Sequence, residues 1–169
     1  MPRGFTLLEL LITVAVLSAL LATAAPSFKN VFETNKMQRL AEELHGFMIQ
    51  AKSEAVFRNQ DLWAHIDVAS DPVDTGEWSI ALTDSSVSGG AAILVLSGKP
   101  FRDITFDPDY SSQQIKFDGI RGKVKNGSID FNPVGMTNKK LRIKGSYGAA
   151  RIVICGEQGA IYGYPACGG

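Results

Sequence analysis

Three periodicities divide the chain. Across residues 5–25 the side chains are almost all apolar, with Glu9 the one charged residue. As a helix this run reaches roughly 31 Å, enough for a bilayer core. Past Pro26 the apolar residues thin to a stripe of Leu40, Leu44, Phe47, Ala51 and Ala55 at three- and four-residue spacing, while Glu33, Lys36, Arg39, Glu42, Glu43 and Lys52 fall mostly off it. That is the pattern of an amphipathic helix laid on a core, continuing to about Phe57. Pro26 lacks an amide donor and should kink or loosen the helix. Gly46 weakens it by about 1 kcal/mol relative to Ala. From Leu62 the period becomes two, and short strands are expected at Leu62–Val68, Trp78–Thr83, 92–96, 103–106, Gln114–Phe117, 128–131, 141–144, 150–155 and 160–162, with Gly and Pro between them. The expected fold is α+β: a long N-terminal helix, half transmembrane and half amphipathic, packed on an antiparallel β-sandwich or β-sheet domain.

The expected segments are therefore an apolar helix over 5–25, an amphipathic helix over 26–58 and a β-rich globular domain over 59–169. At 169 residues the chain is long enough for one real core, and its net charge of +0 and 45% hydrophobic content exclude a disordered chain and a strongly basic nucleic-acid binder. Arg3, the one basic residue ahead of the apolar run, favours an inside N-terminus with the domain outside, in a periplasm or its equivalent. The two cysteines, Cys155 and Cys167, agree with an oxidising compartment, where a disulfide between them would add about 3 kcal/mol in the chain-entropy model. The alternative is a pair of free thiols in a cytosolic protein.

Glu9 is the residue that composition does not explain. A charge at the centre of a membrane helix costs roughly 2.5–3.5 kcal/mol on insertion scales, less near an end. An ordinary secretory signal, cleaved near Ala22-Thr23-Ala24, has no use for it, and its apolar core is shorter. If the chain were cut between Gly4 and Phe5, however, Phe5 would carry a free amine one helical turn from Glu9. In a bundle of parallel copies, the Glu9 carboxylate of one subunit would pair with the Phe5 amine of the next and fix their stagger.

Gly4-Phe5-Thr6-Leu7-Leu8-Glu9-Leu10, followed by an apolar helix and then Pro26, resembles the class III signal of type IV pilins and pseudopilins. The resemblance implies that a prepilin peptidase removes residues 1–4, that the amine of Phe5 is methylated, and that the helix anchors in the inner membrane and polymerises with other pilins or pseudopilins. Two further stretches, Ala51-Lys52-Ser53-Glu54-Ala55-Val56-Phe57-Arg58-Asn59-Gln60 and Ile129-Asp130-Phe131-Asn132-Pro133-Val134-Gly135-Met136, resemble the H-type pseudopilins and the T/U-type minor pilins.

Charge is unevenly spread. Asp61, Asp67, Asp71, Asp74, Glu77 and Asp84 occupy a stretch without Lys or Arg, whereas Arg121, Lys123 and Lys125, and again Lys140, Arg142 and Lys144, alternate in a basic one. If extended, each basic set projects from one face. It is then a solvated strand face, a contact for an acidic neighbour, or a DNA-capturing patch. Some T-type minor pilins of competent bacteria bind DNA through a C-terminal Gly-Arg-x-Arg motif; the corresponding Gly159-Ala160-Ile161-Tyr162 lacks both arginines.

No enzyme signature is found and no cofactor is implied. His45 and His65 accompany neither a nucleophile nor metal-ligand spacing. Asp71, Asp74 and Glu77 lack EF-hand spacing and read as an acidic turn. Gly89-Gly90 and Gly145-Ser146-Tyr147-Gly148 lack the strand–loop–helix setting of a phosphate cradle. Trp63 and Trp78 read as core or strand-pair residues. The expected function is a minor pilin of a type IV pilus at the filament tip. The alternatives are an H-type pseudopilin of a type II secretion system and a DNA-binding pilus subunit.

Overall fold

The computed structural model describes residues 5–168, except for the side chains of residues 23–27 and 29. The leader residues 1–4, with Gly4, and the ring of Pro26 therefore lie outside the described residues. The order is one helix, α1 (Leu7–Arg58), then eight strands: β1 (Leu62–Val68), β2 (Trp78–Thr83), β3 (Leu94–Ser97), β4 (Ile104–Asp109), β5 (Gln114–Phe117), β6 (Gly127–Pro133), β7 (Leu141–Ser146) and β8 (Arg151–Gly156). Short 3-10 turns sit at Lys99–Phe101, Ser111–Gln113 and Thr137–Lys139. The chain divides into two compact units, Met1–Asn35 and Lys36–Gly169.

In the first unit the helix begins where the sequence supplies a cap. Thr6 and Glu9 have the T-x-x-E spacing of a capping box, and the Thr6 hydroxyl accepts a hydrogen bond from the Glu9 amide at 3.2 Å. The large apolar residues, from Phe5 through Leu21, are exposed in the single chain. Among the described residues no helical stretch is long and apolar enough to cross a membrane. The apolar run is described without interruption only as far as Ala22.

The second unit holds the core. The α1 stripe buries Met37, Leu40, Ala41, Leu44, Phe47, Met48, Ala51 and Ala55, the five expected positions together with Met37, Ala41 and Met48. These residues form one hydrophobic cluster with the inner faces of two four-stranded antiparallel sheets, ordered β3-β2-β1-β5 and β4-β6-β7-β8. Leu62, Ala64 and Ile66 of β1 and Trp78, Ile80 and Leu82 of β2 alternate inward, as period two requires. Trp78 lies at the centre, stacked on Phe106 at 4.1 Å and on Phe101 at 6.2 Å. Gly98 passes against this indole so closely that an added Cβ would sit 2.4 Å from a ring atom.

Strands β1, β2 and β5 have the expected bounds. Two other starts shift for a backbone reason: Asp103 and Ala150 take left-handed conformations (φ 64° and 50°), so β4 and β8 open one residue later than expected. The expected strand 160–162 is absent. Tyr162 and Gly163 both have positive φ, and Ile161 and Tyr164 exchange backbone hydrogen bonds across them, which makes a two-residue reversal.

Candidate functional site

The N-terminal motif is a helix start with one unmet demand. Thr13 and Ser18, two of the polar residues in the apolar run, donate their hydroxyls to the Leu10 and Val14 carbonyls at 2.8 Å each. Such back-bonding satisfies a hydroxyl without water. Thr6 is engaged as the cap. Among the described residues 5–22 this leaves the Glu9 carboxylate as the polar side chain with no partner inside the chain. Its place in the first turn suits the helix dipole. Phe5 is 73% exposed. The capping role of Thr6 was legible in the T-x-x-E spacing and was missed in the sequence reading.

Cys155 and Cys167 are joined as a disulfide, with Cα atoms 4.9 Å apart. Its setting explains its place. Strand β8 is the edge of its sheet, and the C-terminal segment returns over it through Gly156 N–H to the Pro165 carbonyl (2.8 Å) and Cys167 N–H to the Gly156 carbonyl (2.9 Å). The staple thus covers a sheet edge that would otherwise offer free backbone groups. Gln38 of α1 adds a hydrogen bond to the Tyr162 carbonyl at 3.0 Å.

The two basic sets separate in the structure. Arg142 lies directly opposite Asp130 across β6 and β7. Its guanidinium grips that carboxylate with two bonds of 2.6 Å and reaches Glu157 at 2.8 Å. Lys140 completes the cluster, 3.2 Å from Glu157 and 3.7 Å from Asp130. The Asp130 side chain is only 10% exposed, and its bidentate bond is the first cause of the raised pKa of Arg142. Lys140 and Arg142 are thereby committed to internal carboxylates, and of this set Lys144 alone stands on the exposed face without an ion pair among the described residues.

Arg121, Lys123 and Lys125 are not on a strand. Arg121 lies in a turn organised by Asp118, whose Oδ1 accepts the amides of Ile120 and Arg121 at 2.9 and 2.7 Å, and Lys123 and Lys125 follow it on a segment that returns along β5. Only Val124 makes a ladder bridge, to Phe117. Lys123 sits 4.6 Å from the Tyr147 ring centroid. The Lys125 ammonium donates to the carbonyls of Ser111 (2.7 Å) and Gln114 (3.2 Å). Nearby, Lys116 pairs with Asp61 at 2.6 Å. The hydrogen bond from Lys116, then one from the Gly119 amide, holds the Asp61 pKa low, and the same pair raises that of Lys116.

His65 bonds the Ser85 carbonyl at 2.9 Å within a strand face. Among the described residues no group of three or more His, Cys, Asp or Glu is placed to hold a metal ion. The Asp71 carboxylate accepts from Gln113 Nε2 at 3.0 Å, consistent with an acidic turn.

Comparisons with known proteins bear on this arrangement. The profile of the prokaryotic N-terminal methylation motif matches residues 2–25, and that of the type II transport protein GspH matches residues 40–159. No curated protein matches the chain. Among solved structures, the type IV minor pilin FimU of Pseudomonas aeruginosa is similar at 21% identity, covering 71% of this chain and 88% of that one with a TM-score of 0.56; a second crystal form gives 0.52 at 19% identity. The minor pseudopilin EpsH from the Type 2 Secretion System of Vibrio cholerae is similar at 17% identity, covering 71% and 98%, with a TM-score of 0.50. The fold is that of these proteins: an N-terminal helix with two antiparallel sheets. With the GspH profile covering most of the chain and the methylation motif ahead of it, the chain belongs to the GspH family and is a minor pilin or pseudopilin of the GspH/FimU kind.

Proposed function

We propose that this chain is a minor pilin of a type IV pilus, a structural subunit of the tip or initiation complex rather than an enzyme. Prepilin peptidase cuts between Gly4 and Phe5, the new amine is methylated, and the apolar helix anchors the chain in the inner membrane with its domain in the periplasm. Glu9 then pairs with the Phe5 amine of a neighbouring pilin. The observation that carries this reading is the Glu9 carboxylate, the one polar side chain described between residues 5 and 22 without an internal partner, inside a matched methylation motif. In lipid such a charge needs an opposite one. The likeness to FimU supports the pilus assignment.

The GspH match and the likeness to EpsH favour a second reading, an H-type pseudopilin of a type II secretion system. DNA binding has less behind it, because Lys140 and Arg142 already face Asp130 and Glu157. The test has two arms. Glu9→Ala is expected to give processed protein that assembles poorly, and normal assembly would reject the role given to Glu9. Deletion is expected to abolish piliation and twitching; loss of exoprotein release with intact pili would transfer the chain to the secretion system.

A further inference from the structure

An open groove of about 460 Å³ lies beside β5, lined by Lys116, Asp118, Lys123, Lys125, Asn126 and Tyr147. Its walls are held by backbone bonds. The Lys125 amide donates to the Lys116 carbonyl at 2.9 Å and the Asp118 amide to the Lys123 carbonyl at 2.8 Å, so the 123–125 segment covers the β5 edge. On the other side Asn126 Oδ1 accepts the Tyr147 amide at 2.7 Å. The groove is therefore preformed.

Its charges are not balanced. Lys116 has a carboxylate, Asp61, and the Asp118 carboxylate, which accepts two amides of its own turn, keeps its charge in the lining. Lys123 faces an aromatic ring, and Lys125 is held by two neutral carbonyls. Among the described residues neither ammonium meets a carboxylate within ion-pair distance. Carbonyl bonds fix an ammonium in place without cancelling its charge, so the groove presents two positioned cations against the single Asp118 carboxylate, beside a half-exposed Tyr147.

The complementary surface is on the same chain. Asp67, Asp71, Asp74 and Glu77 are all exposed, and among the described residues none has a Lys or Arg within ion-pair distance. Within one molecule the two surfaces meet at the turn 111–114, where the Gln113 side chain reaches the Asp71 carboxylate at 3.0 Å and the Ser111 and Gln114 carbonyls hold the Lys125 ammonium. Among the described residues no carboxylate of 67–77 comes within ion-pair distance of Lys123 or Lys125, so both sets remain open to a second copy.

We propose that this groove receives the acidic 67–77 loop of a second copy of the chain, with Lys123 and Lys125 pairing its carboxylates. A nucleic-acid strand fits less well. Phosphate binding draws on a run of free cations, but Lys140 and Arg142 are spent on Asp130 and Glu157. The proposal depends neither on which filament the chain enters nor on the role of Glu9.

The test uses the full chain in detergent micelles and an acetylated, amidated peptide of residues 67–78 as the probe. A peptide with its four acids changed to Asn or Gln, and a single-stranded oligonucleotide, are the comparison ligands. The acidic peptide is expected to bind saturably, at least tenfold more tightly than its neutral form, and more weakly as salt rises. Lys123→Gln/Lys125→Gln should weaken it at least tenfold, while Lys123→Arg/Lys125→Arg should retain it. Carbodiimide coupling of mixed light and heavy-nitrogen protein should join Lys123 or Lys125 to the acidic loop in mixed-isotope pairs. Equal binding of acidic and neutral peptides, unchanged binding by the Gln variant, couplings confined to one isotope, or binding of the oligonucleotide but not the peptide would each overturn the proposal.

Discussion

Replacing Arg142 with Met would test how far the folded domain depends on a buried ion pair. The Asp130 side chain is 10% exposed, and Arg142 gives it both of its 2.6 Å bonds. Met fills much of the arginine stem but leaves that carboxylate without its main partner. Breaking a buried pair by removing one member typically costs about 3–5 kcal/mol. Two features lower the figure here. Lys140 remains 3.7 Å from Asp130, and the Arg142 side chain is 31% exposed, so water screens part of the interaction. The expected loss is about 2–3 kcal/mol. For a chain of this size that is a fall of roughly 5–10 °C in midpoint. The assay is thermal unfolding of the full chain in detergent, followed by the near-ultraviolet circular dichroism of Trp63 and Trp78. Asp130→Asn/Arg142→Met removes the stranded charge together with its partner and should recover most of the loss. A single variant within about 0.5 kcal/mol of the parent, or a double variant no better than the single, would refute the reasoning.

Gly98→Ala places a methyl 2.4 Å from the Trp78 ring, which is already stacked on Phe106, and should cost about 1–3 kcal/mol in the same assay. Cys155→Ser/Cys167→Ser should cost about 3 kcal/mol and speed amide exchange at Gly156 and Cys167, which the tail holds over β8. Burial first, and then the carboxylates of Asp71 and Asp130, raise the pKa of Asp107 above 3.8. Between 3.8 and that raised value the folded chain holds more proton on Asp107 than the unfolded chain, so this group makes stability fall as pH rises through the window. Asp107→Asn should therefore be more stable than the parent at pH 7, with the gain gone below about pH 4; a gain that persisted there would contradict the cause given.

Local signals carried most of the fold. The stripe from Leu40 to Ala55 and the alternation in β1, β2 and β5 reflect each residue's own burial, which a period reveals directly. Three of the missed bounds fall where a non-glycine residue turns the backbone left-handed, at Asp103, Ala150 and Tyr162, which alternation of apolar and polar positions does not register; β3 and β6, found at Leu94–Ser97 and Gly127–Pro133, differ from the expected 92–96 and 128–131 without such a residue. The site was legible unevenly. Glu9 stood out because a charge in an apolar run is costly, and Cys155 and Cys167 because they are the two cysteines present. The basic sets misled for a long-range reason. That Arg142 faces Asp130 follows from the register of β6 on β7, and that Lys140 reaches Glu157 follows from β8 lying alongside. The alternation of Arg121, Lys123 and Lys125 imitates a strand, but the Asp118 carboxylate folds Arg121 into a turn, and 123–125 return along β5 with a single bridge at Val124.

The central claim is that Glu9 acts against the amine of a processed neighbour, which requires Phe5 to be the first residue of the mature chain. Intact mass and N-terminal sequencing of the protein from its native cells test this most directly. The expected mature chain begins at Phe5, is heavier by one methyl group and retains the apolar helix. A mature protein beginning at Ala25, or one still carrying Met1, would contradict it.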